Sequence, residues 1–187
     1  MAITENSNAP RILVAGCGKL GGAIACRLKN SATVFGLRRN PERVPEAIIG
    51  IGADLTQPDT LNGRLPEQLD IIIYCLTPSS YDQQGYRDAY VTGLANLLNA
   101  LGDHSLKHLF FVSSSSVYAQ DDDSWVDESS ATGPVRFSGK QVLAGEQTAL
   151  ESGHPATIIR FSGIYGPSRP RFLEAVREGR MNPESPA

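Results

Sequence analysis

Apolar positions along this chain fall into short uninterrupted runs, separated by stretches that repeat with a helical period. The runs lie at Arg11 to Ala15, Thr33 to Leu37, Ile48 to Ala53, Asp70 to Cys75, Leu106 to Ser113 and Ala156 to Phe161. Continuous rather than alternating hydrophobicity is the pattern of strands covered on both faces. Between the runs, Leu20, Ile24 and Leu28 share one face of a helix predicted over Gly18 to Asn30. Tyr90, Leu94, Leu97, Leu98 and Leu101 do the same over Tyr81 to Gly102. A third helix is predicted from about Arg136 to Glu151 and a short fourth from Arg171 to Gly179. Strands alternating with helices predict an α/β fold, a doubly wound parallel sheet with strand order 3-2-1-4-5-6.

The first run leads into Gly16-x-Gly18-x-x-Gly21 and then straight into the first helix. A strand ending in such a turn aims the unpaired amides of the helix's first turn outward, which makes a cradle for a pyrophosphate. Gly16 permits the turn, Gly18 lets a phosphate approach the backbone, and Gly21 lets helix pack closely on strand. The arrangement is that of a Rossmann fold binding a dinucleotide. In that fold an acid about 20 residues past the first glycine selects NAD through the ribose 2′-hydroxyl. Here Arg38 and Arg39 stand in that region, and guanidinium forks suit a 2′-phosphate, so NADP is favoured with NAD as the alternative. The same two arginines could instead begin a helix or pair with Glu42. Asp54 is placed either to contact the adenine amine or to cap the turn that starts at Thr56.

Composition narrows the partners. The chain has 187 residues, 41% of them hydrophobic, and a net charge of −3, and no run of Lys or Arg exceeds two. Neither nucleic acid nor an anionic membrane is favoured, whereas a small anion held by local geometry is. The first ten residues lack a basic segment followed by an apolar core, and no stretch is long and apolar enough to cross a bilayer, so a cytoplasmic location is expected. Cys17, Cys26 and Cys75 sit in apolar surroundings without ligand-like spacing and are expected to be reduced, buried small residues, with no metal site. The polar segment Gln120 to Pro134 reads as a solvated loop at the carboxyl edge of the sheet, the edge where loops carry ligand contacts.

With these residues in view, the chain resembles the short-chain dehydrogenase/reductase superfamily, on its extended or atypical side with the NAD(P)-dependent epimerase/dehydratases. Besides the glycine turn, the resemblance rests on GADLT at 52–56, YVTGLANLLNAL at 90–101, FFVSSSSVYA at 110–119, VDE at 126–128, SGKQVLAGE at 138–146 and IIRFSGIYGP at 158–167. It implies a coenzyme site built from Gly16, Gly18, Lys19, Leu20, Gly21, Arg38, Arg39, Asp54, Leu55, Leu76, Thr77, Ser113, Lys140, Phe161 and Gly163. It also implies a hydroxyl and a lysine at the reacting centre, which map to Ser114 and Lys140. The family's tyrosine, four residues before the lysine on one helical face, is missing: Arg136 stands there, and a guanidinium cannot serve as a base at neutral pH. Tyr118 and Tyr165 are expected to be structural, and Tyr90 replaces the asparagine common at its position.

The resemblance further implies three segments: a tail at 1–10, an NAD(P)-binding domain at 11–170, and at 171–187 only the start of a substrate lobe that is otherwise absent. An exposed docking surface for that lobe would favour self-association into a homo-oligomer. Two functions follow. One is an oxidoreductase acting on a small hydroxy or keto compound or a nucleotide sugar, with Ser114 on the reacting oxygen and Lys140 on the nicotinamide ribose. The other is a non-catalytic dinucleotide-binding or redox-sensing module that keeps the cradle without the acid and base.

Overall fold

The computed structural model describes residues 9–120, 122, 124–165 and 171–180. Residues 1–8 of the expected tail at 1–10, positions 121 and 123 of the acidic loop, Gly166 and Pro167 of the 158–167 segment, and 181–187 lie outside the described residues. Six parallel strands form one sheet: β1 (Arg11–Ala15), β2 (Thr33–Arg38), β3 (Ile49–Gly52), β4 (Ile71–Tyr74), β5 (His108–Ser114) and β6 (Ala156–Phe161). Their order is β3-β2-β1-β4-β5-β6, as the alternation predicts. The chain therefore reverses its winding direction beside β1, and the crevice at the carboxyl ends of β1 and β4 is where ligands bind in such sheets.

Helix α1 (Lys19–Leu28) follows β1 directly, and α4 (Phe137–Leu150) joins β5 to β6, with α5 (Arg171–Arg177) beyond. The single helix expected over Tyr81 to Gly102 is interrupted. It comprises α2 (Gln83–Arg87), a π-helical turn over Asp88–Thr92, and α3 (Gly93–Leu101). The buried Tyr74 hydroxyl on β4 donates to the Ala89 carbonyl at 2.5 Å, and the Gly93 amide bonds the carbonyl of Asp88, five residues back. A side chain that takes one helix carbonyl leaves the next amide to reach further, which widens that turn.

Alternate residues of each strand feed two cores. Leu13, Leu37, Ile72, Tyr74, Leu109 and Phe111 pack with Leu94, Leu97 and Leu101 of α3 and Ala149 of α4. On the other face Val14, Val34 and Cys75 pack with Cys17 and Ala25 at α1. The expectation of strands buried on both faces fails for β4 and β5, whose residues alternate between buried and half-buried, and for the edge strand β6, none of whose residues is buried. The reason is that α1 lies over β1 and β2, and β6 is an edge strand with a neighbour on one side only. Of the cysteines, Cys17 and Cys75 are buried free thiols, but Cys26 is exposed, contrary to expectation, because it lies on the solvent side of α1. Burial pushes the Cys75 thiol up to about 12, which keeps it protonated and unreactive.

At the opposite edge, one carboxylate ties three strand starts together. Asp70 accepts the Arg11 amide at 2.7 Å and pairs with the Lys107 ammonium at 2.8 Å. The hydrogen bond from Lys107, then that from the Arg11 amide, holds its carboxyl below the usual range. A depressed carboxylate stabilises the fold above its ordinary pKa of about 3.9 and loses that contribution as pH falls through the folded value. Asp70→Asn should therefore lower the urea midpoint at pH 7, and the gap to the wild type should narrow as pH falls through and below the ordinary carboxylate range. A gap that persists undiminished in acid would mean that shape, not charge, holds this corner.

Candidate functional site

A cleft of about 560 Å³ opens at the carboxyl edge where the winding reverses, and it gathers several residues that the sequence singles out. Gly16, Gly18, Arg38, Arg39, Asp54, Leu55, Leu76 and Thr77 line it, together with Asn40, Arg43, Thr56, Ser79, Asp88 and Ala89, which the sequence reading missed. Asn40 and Arg43 follow β2, Thr56 follows β3 and Ser79 follows β4. Position relative to a strand end was the available signal for Asn40 and Thr56; Asp88 and Ala89 come from the π-helical turn, which no pattern announced.

The glycine turn has the geometry that its spacing implies. Gly16 has φ +91°, and a Cβ on it would lie 2.8 Å from the Cys75 backbone, so only glycine lets β1 turn this close to β4. A Cβ on Gly21 would lie 2.5 Å from the Gly16 carbonyl oxygen, which shows how tightly α1 sits on the turn. At Gly18 the nearest atom to an added Cβ is 3.9 Å away, leaving the helix entrance open. Lys19, Leu20 and Gly21 form the first turn of α1, whose amides have no carbonyl one turn behind them. An anion fits that entrance by chemistry and by space.

Arg38 neither begins a helix nor pairs with Glu42. Its Nη1 donates to the Cys17 carbonyl at 3.2 Å and to the Arg43 carbonyl at 2.9 Å, linking the glycine turn to the 3-10 turn at Pro41–Arg43. Arg39 is exposed at the cleft and makes no hydrogen bond or ion pair with a described residue. Asp54 does cap the following turn, accepting from the Thr56 amide at 3.0 Å and its hydroxyl at 2.8 Å, and it also lines the cleft. Asn96 of α3 donates to the Leu55 carbonyl at 2.8 Å and so fixes this wall.

Ser114, Lys140, Ser113, Phe161 and Gly163 lie outside this cleft, on the β5, α4 and β6 side of the same edge. Ser114 ends β5, half-buried, and its Oγ accepts the Ser116 amide at 3.2 Å. Lys140 is exposed and makes no hydrogen bond or ion pair with a described residue. A Cβ on Gly139 would lie 2.2 Å from the Ser116 carbonyl oxygen, so the segment after Ser114 presses on α4 at the residue before Lys140. Phe161 and Gly163 are exposed at the end of β6. Arg136 is the N-cap of α4 with extended backbone, φ −74° and ψ 146°, so its side chain is not carried in helical register with Lys140.

Beneath this side lies a charged network that the sequence reading did not anticipate. Glu146, 2% exposed, receives two hydrogen bonds from the Arg160 guanidinium, at 2.9 and 2.8 Å, and one from the Ser113 hydroxyl at 2.5 Å. Arg160 also donates to the Tyr118 hydroxyl at 3.0 Å and lies over its ring, while that hydroxyl donates to the Asp127 carbonyl at 2.7 Å. The Ser113 side chain is thereby turned away from solvent, and Tyr118 is a structural tie to the acidic loop. The bond from Glu146, then that from Tyr118, raises the Arg160 guanidinium further and keeps it charged.

A family model described as NAD dependent epimerase/dehydratase family matches residues 12–180. A structure from Methylobacillus flagellatus, provisionally assigned as an NAD-dependent epimerase/dehydratase, is 40% identical with TM-score 0.78, over 94% of this chain and 62% of its own. UDP-glucuronic acid 4-epimerase from Bacillus cereus, solved with NAD, shares the fold at 21% identity and TM-score 0.69, over 90% of this chain and 63% of its own. An uncharacterised 37.6 kDa protein of Escherichia coli O111:H- is 33% identical over 106 residues, 51% of this chain and 32% of its own length. The chain thus matches about a third of that curated relative and less than two thirds of these structural ones.

Because the Glu146 carboxylate is buried and paired, removing it strands a guanidinium and a buried hydroxyl. Glu146→Ala should cost about 3 kcal/mol in urea unfolding, the lower end for a broken buried pair since Arg160 keeps some contact with water. Glu146→Gln, which keeps the hydrogen-bonding shape, should cost less. A loss under about 0.5 kcal/mol for the alanine variant, the size of an ordinary surface change, would remove the network from the stability account.

Proposed function

The chain belongs to the NAD dependent epimerase/dehydratase family, and from that premise we propose that it binds a nicotinamide dinucleotide, NADP in preference to NAD. We further propose oxidoreductase or epimerase chemistry on a small hydroxy or keto compound or a nucleotide sugar. The observation that carries the reading is the cleft running from the open glycine turn past Arg38, Arg39 and Arg43 to Asp54.

In this reading the first-turn amides of Lys19, Leu20 and Gly21, with Gly16 and Gly18, receive the pyrophosphate. Arg39 neutralises the 2′-phosphate as an unengaged guanidinium, and Arg38 shapes the same wall from its two carbonyl contacts. Asp54 and Leu55 flank the adenine, and Leu76 and Thr77 border the coenzyme's path past β4. Lys140 holds the nicotinamide ribose, Ser114 hydrogen-bonds the reacting oxygen, and Ser113, Phe161 and Gly163 border the nicotinamide end. When bound, the coenzyme supplies hydride transfer; the chain supplies placement, charge and proton management. A second reading, a non-catalytic dinucleotide-binding module, is favoured by Arg136 standing outside helical register where the family carries its tyrosine. The two readings separate on turnover: the module binds NADPH and reduces none of a panel of carbonyl compounds and 4-keto sugar nucleotides.

Thermal-shift titration should show stabilisation that grows with NADPH concentration and exceeds that with NADH. Arg39→Ala should weaken NADPH about tenfold, close to 1.4 kcal/mol, and leave NADH within about twofold. Arg38→Ala should weaken both, since it releases the Cys17 carbonyl at the glycine turn. Equal losses for the two coenzymes in Arg39→Ala would reject the 2′-phosphate assignment.

A further inference from the structure

The family's phenol is absent from α4, yet the fold brings another one to the same helix from across the edge. Tyr81 follows β4 by way of Leu76, Thr77 and Ser79, which line the cleft. Its ring is 73% exposed and meets Phe137 edge-on, with centroids 5.5 Å apart. Phe137 is the first residue of α4, and Lys140, three residues on, is its neighbour on the helix surface. The Tyr81 ring therefore packs on the first turn of the helix that carries Lys140.

Its position is fixed from both sides. The neighbouring Asp82 caps α2, accepting the Gly85 amide at 2.7 Å, and Gly85 lies so close to Ser80 that a Cβ there would be 2.3 Å from the Ser80 hydroxyl oxygen. Tyr86 backs the ring, with centroids 5.6 Å apart, and itself packs edge-on against Phe137 at 5.5 Å. The Tyr81 hydroxyl makes no hydrogen bond with a described residue. Tyr86 is half-buried, and burial together with the neighbouring Tyr81 raises its phenol, which suits a packing role.

We propose that Tyr81 is the proton-transferring residue of this site, replacing the tyrosine that α4 lacks. The inference rests on the coenzyme-binding reading above. In oxidation the substrate O–H bond breaks and its proton passes to the Tyr81 oxygen. A C=O bond forms as the carbon's hydrogen leaves with its electron pair for the nicotinamide coenzyme. In reduction the Tyr81 hydroxyl returns a proton to the carbonyl oxygen.

The test is tetranitromethane nitration of the whole chain, with modification at Tyr81 followed by peptide mass spectrometry. Saturating NADP+ should slow nitration of Tyr81 about fivefold or more, while 2′,5′-ADP, which fills only the adenine half, should leave it within about twofold. In carbonyl reduction Tyr81→Phe should lower kcat about a hundredfold with KM for NADPH little changed, whereas Tyr86→Phe should stay close to the wild type. If thermal shift shows NADP+ bound while Tyr81 nitrates at its unprotected rate, or if Tyr81→Phe retains wild-type kcat, the Tyr81 assignment is overturned and the coenzyme reading stands. If neither coenzyme shifts the melting temperature, the coenzyme reading fails and the role of Tyr81 fails with it.

Discussion

The close passage of β1's end beside β4's end governs the shape of everything at the carboxyl edge. Gly16 turns with its α-carbon facing the Cys75 backbone, where a methyl group would overlap at 2.8 Å. Because the chain turns so tightly there, α1 starts within reach of the sheet and presents its first amides to the crevice rather than to solvent beside it. The Arg38 guanidinium braces the turn from β2 through the Cys17 carbonyl. The glycine turn is thus held from β2 by the Leu37 carbonyl and the Arg38 guanidinium, and from β4 by close backbone approach.

A second constraint organises the other half of the edge. Burying Glu146 is costly unless its oxygens are satisfied, and three hydrogen bonds from Arg160 and Ser113 satisfy them. Those bonds join α4 to β5 and β6, and through Tyr118 to the loop before α4. Lys140 belongs to this braced helix, and Ser114 to the strand that meets it. The placement of both is therefore set by a polar network one layer below them, while their own side chains remain available at the surface.

The cleft at the glycine turn and the β5, α4 and β6 side of the same edge differ in how they were written into the chain. A phosphate cradle needs a local backbone conformation, and a local conformation leaves a local signature: Gly16, Gly18 and Gly21 at fixed spacing between a strand and a helix. Arg39 and Asp54 likewise follow from strand ends that hydrophobic runs make visible. The β5, α4 and β6 side depends on residues distant in sequence. Glu146 and Arg160 are 14 residues apart on α4 and β6, and no periodicity pairs them. Tyr81 meets Phe137 only because α2 packs on α4. Counting four residues back from Lys140 gave Arg136, but the count assumes a helix that in fact begins one residue later.

By itself the sequence determined the parallel α/β sheet, its strand order and the position of the glycine turn, since each depends on short-range pattern: apolar runs, helical period and the need for a residue without a Cβ. Tertiary structure decided the rest. It split the Tyr81 to Gly102 helix, because the Tyr74 hydroxyl from another element takes the Ala89 carbonyl. It left Cys26 exposed and one face of β4 and β5 half-covered, because where a helix lies over a sheet is set by packing rather than by its own amphipathic pattern. It turned Arg38 into a brace and brought Tyr81 to the lysine helix, because side-chain partners across a crossover are fixed only once the layers have packed.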